Sequence, residues 1–100
     1  MRAVLHQDIV SLARCLLALP RKERRPFADL QVKLTDAADR YRVRFGRAHA
    51  LYGNGTLASC CSQNESVSER RLDDPDYADC MIQALEAVVS FRKTDGGASA

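Results

Sequence analysis

The 100-residue chain predicts an all-α fold, a compact bundle of three main helices at about residues 6–19, 22–45 and 75–92 with a short helix at about 56–62. Three observations predict it. Apolar residues recur at three- and four-residue spacing in each long segment, the repeat of one helical face. No segment alternates apolar and polar residues in the period-two manner of a half-buried strand. Helix breakers, Pro20, Gly46, the Gly53-Asn54-Gly55 run and Pro75, fall between or at the edges of the periodic stretches.

In the first helix, Leu5, Ile9, Leu12, Ala13, Leu16 and Leu17 form a broad apolar stripe that ends at Pro20. A basic turn of Arg21, Lys22, Arg24 and Arg25 around Glu23 leads into the second and longest helix. There Phe27, Leu30, Leu34, Ala37, Tyr41 and Phe45 step by three and four and are expected to face the core. Pro26 is expected in the first helical turn, where its missing N–H costs little, and Gly46 at the C-terminal cap. At 1.5 Å per residue the second helix is about 36 Å long against about 21 Å for the first, so its Arg-rich end is expected to project beyond its neighbour. Gly53-Asn54-Gly55 marks a tight loop, and Thr56 caps a short helix that turns Leu57, Cys60 and Cys61 inward. Residues 64–72 are polar and read as a loop, with Ser66 and Glu69 at the spacing of a weak capping box. The last helix opens at Asp74 as N-cap and Pro75 as first residue, with Tyr77, Met81, Ala84, Leu85, Val88 and Phe91 inward. Residues 1–92 therefore read as one helical domain and 93–100 as a flexible tail.

Composition narrows the class without naming a function. With 46% hydrophobic residues, the chain is neither disordered nor collagen-like, and its length excludes a two-domain enzyme. Cys15, Cys60, Cys61 and Cys80 contain no C-x-x-C pair. They read as buried small apolar residues rather than disulfides or metal ligands. The longest apolar run, Cys15–Leu19, is far short of the roughly 20 residues that span a bilayer, and polar residues interrupt the N-terminus early. The sequence thus predicts a cytoplasmic protein with no membrane association. The net charge of +2 is the sum of two opposed halves. Residues 1–47 carry eleven Lys and Arg against five Asp and Glu, and residues 48–100 carry four against eight. Either the halves attract one another in the fold or one of them meets a partner.

The sharpest candidate surface is Arg40, Arg44 and Arg47, at i, i+4 and i+7, a ridge that suits an acidic protein surface or phosphates. Its bland alternative is a solvated face paired with the Asp cluster of the last helix. His49 and Tyr52, in the loop that follows, complete the predicted partner-binding set. A helix-turn-helix reading fails because residues 56–62 hold no Lys or Arg, and neither do residues 75–91. Catalytic, cofactor-binding and metal-binding residues are all expected to be absent. The remote alternative is a thiol site that pairs Cys60 or Cys61 with His49, or a metal site assembled from Cys60, Cys61, Cys80 and His49 or His6.

The stretches Asp36-Ala37-Ala38-Asp39-Arg40-Tyr41-Arg42, Gly46-Arg47-Ala48-His49, Gly53-Asn54-Gly55-Thr56-Leu57 and Leu72-Asp73-Asp74-Pro75-Asp76-Tyr77 resemble a family of small bacterial proteins of unknown function. An opening like Met1-Arg2-Ala3-Val4-Leu5-His6 also fits. The resemblance spans most of residues 1–92 and carries no catalytic residue. The vicinal Cys60-Cys61 departs from the family's Ala-rich short helix. Such proteins look like neighbours of transcription activators that control gene transfer agent production, so the resemblance implies regulation as the context.

The expectation is therefore a non-enzymatic protein-interaction module, an accessory adaptor in transcriptional control whose partner is a protein of the transcription machinery or an activator. The alternative is a non-sequence-specific nucleic-acid binder that uses Arg40–Arg47. A homodimer through the long second helix is a further expectation to test.

Overall fold

The computed structural model of the chain describes residues 1–96, and its element order is α1 (His6–Leu17), α2 (Arg21–Phe45), α3 (Leu57–Cys61) and α4 (Pro75–Phe91), followed by a π-helical turn, Arg92–Gly96. Among the described residues there is no strand, only an isolated antiparallel bridge between His49 and Gly53. The fold is the all-α bundle that the periodicity predicts. No described helix is long and apolar enough to cross a membrane. The expected tail begins inside the π-helical turn, and residues 97–100 lie outside the described residues.

The caps are those the sequence announces. Asp74 Oδ1 accepts the N–H groups of Asp76 and Tyr77 at 2.9 and 3.1 Å, and Pro75 follows as the first helical residue. Thr56 Oγ1 accepts the N–H of Ser59 at 3.2 Å, which satisfies one orphan donor of α3. At the start of α1 the buried Asp8 serves two elements. One carboxylate oxygen accepts the Leu5 N–H at 2.8 Å and the other the Ala58 N–H at 3.0 Å, so it joins α1 to α3. Pro26 is a correction, because α2 starts at Arg21 and places Pro26 in its second turn rather than its first. It stands on the exposed side of the helix, so the Lys22 carbonyl that it leaves without an N–H partner is not a core group. The 64–72 stretch stays irregular, and no helix follows Ser66. Val67 pins it to α1, donating its N–H to the Arg14 carbonyl at 3.0 Å and accepting the Arg14 Nε–H at 2.9 Å.

α4 packs against both α1 and α2, and α3 closes the other side against the same two helices. Leu12, Leu16, Val32, Leu57, Tyr77, Cys80 and Ala84 form the middle of the core. Leu57, Cys60 and Cys61 point inward as expected, and all four cysteines are buried and free. Two expected core residues do not reach it: Leu5 stands ahead of α1 and Leu85 lies on the outer side of α4, 67% and 48% exposed.

The larger correction concerns α2. Its buried row is Arg24, Ala28, Gln31, Val32, Thr35 and Ala38, not the predicted Phe27–Phe45 stripe. Leucines of α1 and Tyr77 of α4 already fill the interior. Where α2 lies over the bundle it presents Ala28, Val32, Thr35 and Ala38, small enough to let its axis approach, and of the outer stripe only Phe27 packs against the core. The polar members of the row are satisfied. Arg24 donates to the Leu16 carbonyl at 3.0 Å and to Asp76 and Asp79 at 2.8 and 3.1 Å. Thr35 donates to the Gln31 carbonyl at 2.7 Å, and the Gln31 side chain accepts from Asn64 at 3.2 Å.

Candidate interaction surface

The far end of α2 is finished by Gly46, whose φ of 71° lets its N–H return to the Arg42 carbonyl at 2.8 Å. The chain then doubles back. His49 and Gly53 exchange both backbone hydrogen bonds, at 2.8 and 3.1 Å. Within that small loop His49 Nδ1 accepts the N–H groups of Leu51 and Tyr52 at 3.0 and 3.1 Å. Gly55, at φ 95°, lies directly on α2, where an added Cβ would come within 2.8 Å of the Asp39 Cα. Asn54 Oδ1 accepts from the Thr56 N–H and hydroxyl at 3.1 and 2.8 Å. The Gly-Asn-Gly-Thr run thus clamps the loop to α2 and starts α3.

That clamp orders a chain of rings. Tyr52 stacks on His49 with centroids 4.7 Å apart and planes within 7°, and His49 and Tyr41 make a T-shaped contact at 4.8 Å. Phe45 lies against Tyr41 at 4.6 Å. Contacts of this kind contribute about 0.5–1.5 kcal/mol each beyond area burial, enough to hold the four rings as one unit. The Arg44 guanidinium lies 5.4 Å from the Phe45 centroid, and Arg47 donates to the Tyr41 hydroxyl at 3.4 Å.

The structure therefore brings Arg44, Arg47, His49 and Tyr52 together around Tyr41 and Phe45. Arg40 stands one turn back, 76% exposed and paired with Asp36 at 2.9 Å. The expected i, i+4, i+7 ridge is corrected at Arg47, which lies beyond the left-handed Gly46 and outside the helix. Nor do these arginines pair with the Asp cluster of α4. Asp76 and Asp79 bind Arg24, and Asp76 lies within reach of Arg21 and Arg70. Asp36 and Asp39 take the Met1 ammonium at 2.6 and 3.4 Å, and Asp39 also accepts from Arg42 at 3.0 Å. Burial works to raise the Asp39 pKa, but Arg42 and the ammonium outweigh it and the carboxyl titrates below its ordinary value. Among the described residues no carboxylate lies within 4.0 Å of Arg44 or Arg47.

Sequence reasoning placed Tyr41 and Phe45 in the core and so missed them as surface. The signal was present: two rows at helical spacing run along α2, one of large apolar residues and one centred on Ala28, Thr35 and Ala38. All four thiols are buried, and the contact with Cys61 lowers the pKa of Cys15. Burial pushes the Cys60 pKa up and that of Cys80 to about 11, and the contact with Cys15 together with burial raises Cys61. Cys60 donates to Gln31 at 3.4 Å, while His49 is engaged by its own loop. Among the described residues no group of three or more His, Cys, Asp or Glu is placed to hold a metal.

With this geometry in place, comparison with known families matches residues 2–88 to a domain of unknown function (DUF7742). The chain belongs to this family. The matched span ends near the C-terminus of α4 and contains the ring cluster, the glycine clamp and the Asp74 cap. Searches of curated proteins and of solved structures found no match.

Proposed function

We propose that the chain is a non-enzymatic, cytoplasmic adaptor that binds a protein partner through the outer end of α2 and the 49–52 loop. The observation that carries this reading is the pairing of ordered, part-exposed rings with Arg44 and Arg47, two cations with no carboxylate within 4.0 Å among the described residues. Aromatic and arginine side chains held in place before contact are what tight protein recognition uses. The resemblance to neighbours of gene transfer agent activators supplies the context: an accessory role in transcriptional control, with an activator or the transcription machinery as partner.

A nucleic-acid role through the same arginines fits less well. The facing sides of His49 and Tyr52 are stacked on one another, and Arg44 lies over the Phe45 ring, so these faces are already taken and not open to bases. The test is affinity purification with mass spectrometry, beside a variant in which Arg40, Arg44 and Arg47 are Glu. The reading expects a protein lost by the variant. An unchanged set of partners refutes it, and so does tight binding of the wild type to an unstructured oligonucleotide that weakens steeply with salt.

A further inference from the structure

Phe27, Leu30, Leu34, Ala37, Tyr41 and Phe45 run along the outer side of α2 for about 27 Å at helical rise; Phe27, half-buried, packs against the core at one end, and none of the others belongs to it. Leu30 and Phe45 are 50% and 54% exposed, and Leu51, 63% exposed, stands beside the stripe. Isolated exposed apolar residues are ordinary, whereas a contiguous row marks a contact. Two shallow depressions follow it, of about 310 Å³ beside Phe27 and Leu30 and about 240 Å³ beside Leu34, Leu51 and Tyr52.

The two edges of the stripe differ in charge. On one edge stand Lys22, Lys33, Arg40 and Arg44, at positions that fall on one side of the helical wheel. Among the described residues no carboxylate lies within 4.0 Å of Lys22, Lys33 or Arg44. The acids behind this row are spent: Asp29 holds Arg25 at 3.1 Å, and Asp36 holds Met1 and Arg40. Glu23 is the one carboxylate on the stripe itself, at its opposite end from the arginines. The other edge is polar and lacks such a row of cations, formed by Gln31, Gln63 and Asn64, with Glu65 following beside Phe27.

The geometry points to an acidic amphipathic helix of a protein partner as the occupant of this stripe, a specification that rests on the protein-binding reading above. Its apolar residues, at three- and four-residue spacing, lie between Leu30, Leu34 and Tyr41, the way ridges of one helix enter the grooves of another. Its carboxylates face Lys33, Arg40 and Arg44. A second copy of the chain is a poorer occupant. Packed antiparallel, its α2 sets the row of cations against itself; packed parallel, it offers the four cations Gln63, Asn64 and a single carboxylate, Glu65.

The probe is a synthetic helical peptide of about 18 residues, about 27 Å long, with leucines on one face flanked by glutamates. A counterpart carries lysines in place of the glutamates. Each is titrated into the full chain at low salt while backbone amide shifts are recorded. The expected result is perturbation confined to residues 27–45 and 51–52, with the lysine peptide weaker by about tenfold or more. Leu30→Glu with Ala37→Glu, both at exposed positions, lowers affinity for the glutamate peptide by about tenfold or more and leaves the melting temperature unchanged. Equal binding of both peptides, or perturbation elsewhere, overturns the assignment. If Arg44→Glu with Arg47→Glu abolishes binding while Leu30→Glu with Ala37→Glu does not, contact is confined to the helix end. That result overturns the stripe and leaves the adaptor reading standing. Absence of binding, together with cellular partners unchanged in the arginine variant, removes both. A dimer in light scattering that Leu30→Glu with Ala37→Glu dissolves assigns the stripe to a second copy and overturns the proposal.

Discussion

Among the described residues Tyr77 is the largest of the fully buried side chains, and its hydroxyl finds no hydrogen-bond partner there. Its pKa is raised by burial, so the phenol stays protonated and brings a polar atom into the core with nothing in return. Removing a buried hydroxyl that makes no bond is expected to cost nothing and to relieve its desolvation. Tyr77→Phe should leave denaturant-measured stability unchanged or raise it by about 1 kcal/mol; a clear loss would reveal a bond that this geometry lacks. Asp8 is the opposite case. It too is buried, but both of its oxygens receive backbone N–H groups, from Leu5 and Ala58. These residue-scale details were only partly legible. The spacing of Asp74 ahead of Pro75 and of Thr56 ahead of Leu57 announced two caps, because capping is a local event of three or four residues. Asp8 reaching Ala58 joins positions 50 apart in sequence, and no local pattern encodes it.

At the scale of the element, α2 holds the lesson. Its limits were readable from Pro20 and Gly46, and its helical period from the apolar spacing. Which side faces inward was not, because two rows share that period and hydrophobicity alone selects the wrong one. Leu12, Leu16 and Tyr77 occupy the volume that large side chains of α2 would need, so Ala28 and Ala38 are the ones buried. A paired substitution checks this directly. Leu30→Ser on the outer stripe should change stability by less than about 1 kcal/mol, allowing for helix propensity. Ala38→Leu in the buried row should cost about 1–3 kcal/mol through overpacking. The reverse order, read from urea denaturation, would return the stripe to the core. The same ambiguity hid the surface, since Tyr41 and Phe45 were counted as core residues and left Arg44 and Arg47 without ring partners.

For the whole molecule, the split between a basic first half and an acidic second half resolves into separate contacts. Arg24, beside the basic turn, is the buried link to Asp76 and Asp79, and Arg25 reaches toward Glu86. The hydrogen bond from Arg24 holds the Asp76 pKa below its ordinary value. A carboxyl lowered in the folded state adds stability that is fully present above its unfolded pKa and is lost as pH falls through the folded one. The chain should therefore lose stability in acid below about pH 4. Asp76→Asn should flatten that acid limb, and an identical limb in thermal melts against pH would contradict the link. The arginines at the other end of α2 are left free of this exchange, which leaves that end open to a partner. One measurement tests this claim most directly: a photocrosslinking amino acid placed in the native cell at Phe45, and in parallel at Leu72, which is 64% exposed and lies just before α4. The account predicts a protein adduct from Phe45 and none from Leu72. An adduct from Leu72 without one from Phe45, or a nucleic-acid adduct from Phe45, would contradict it.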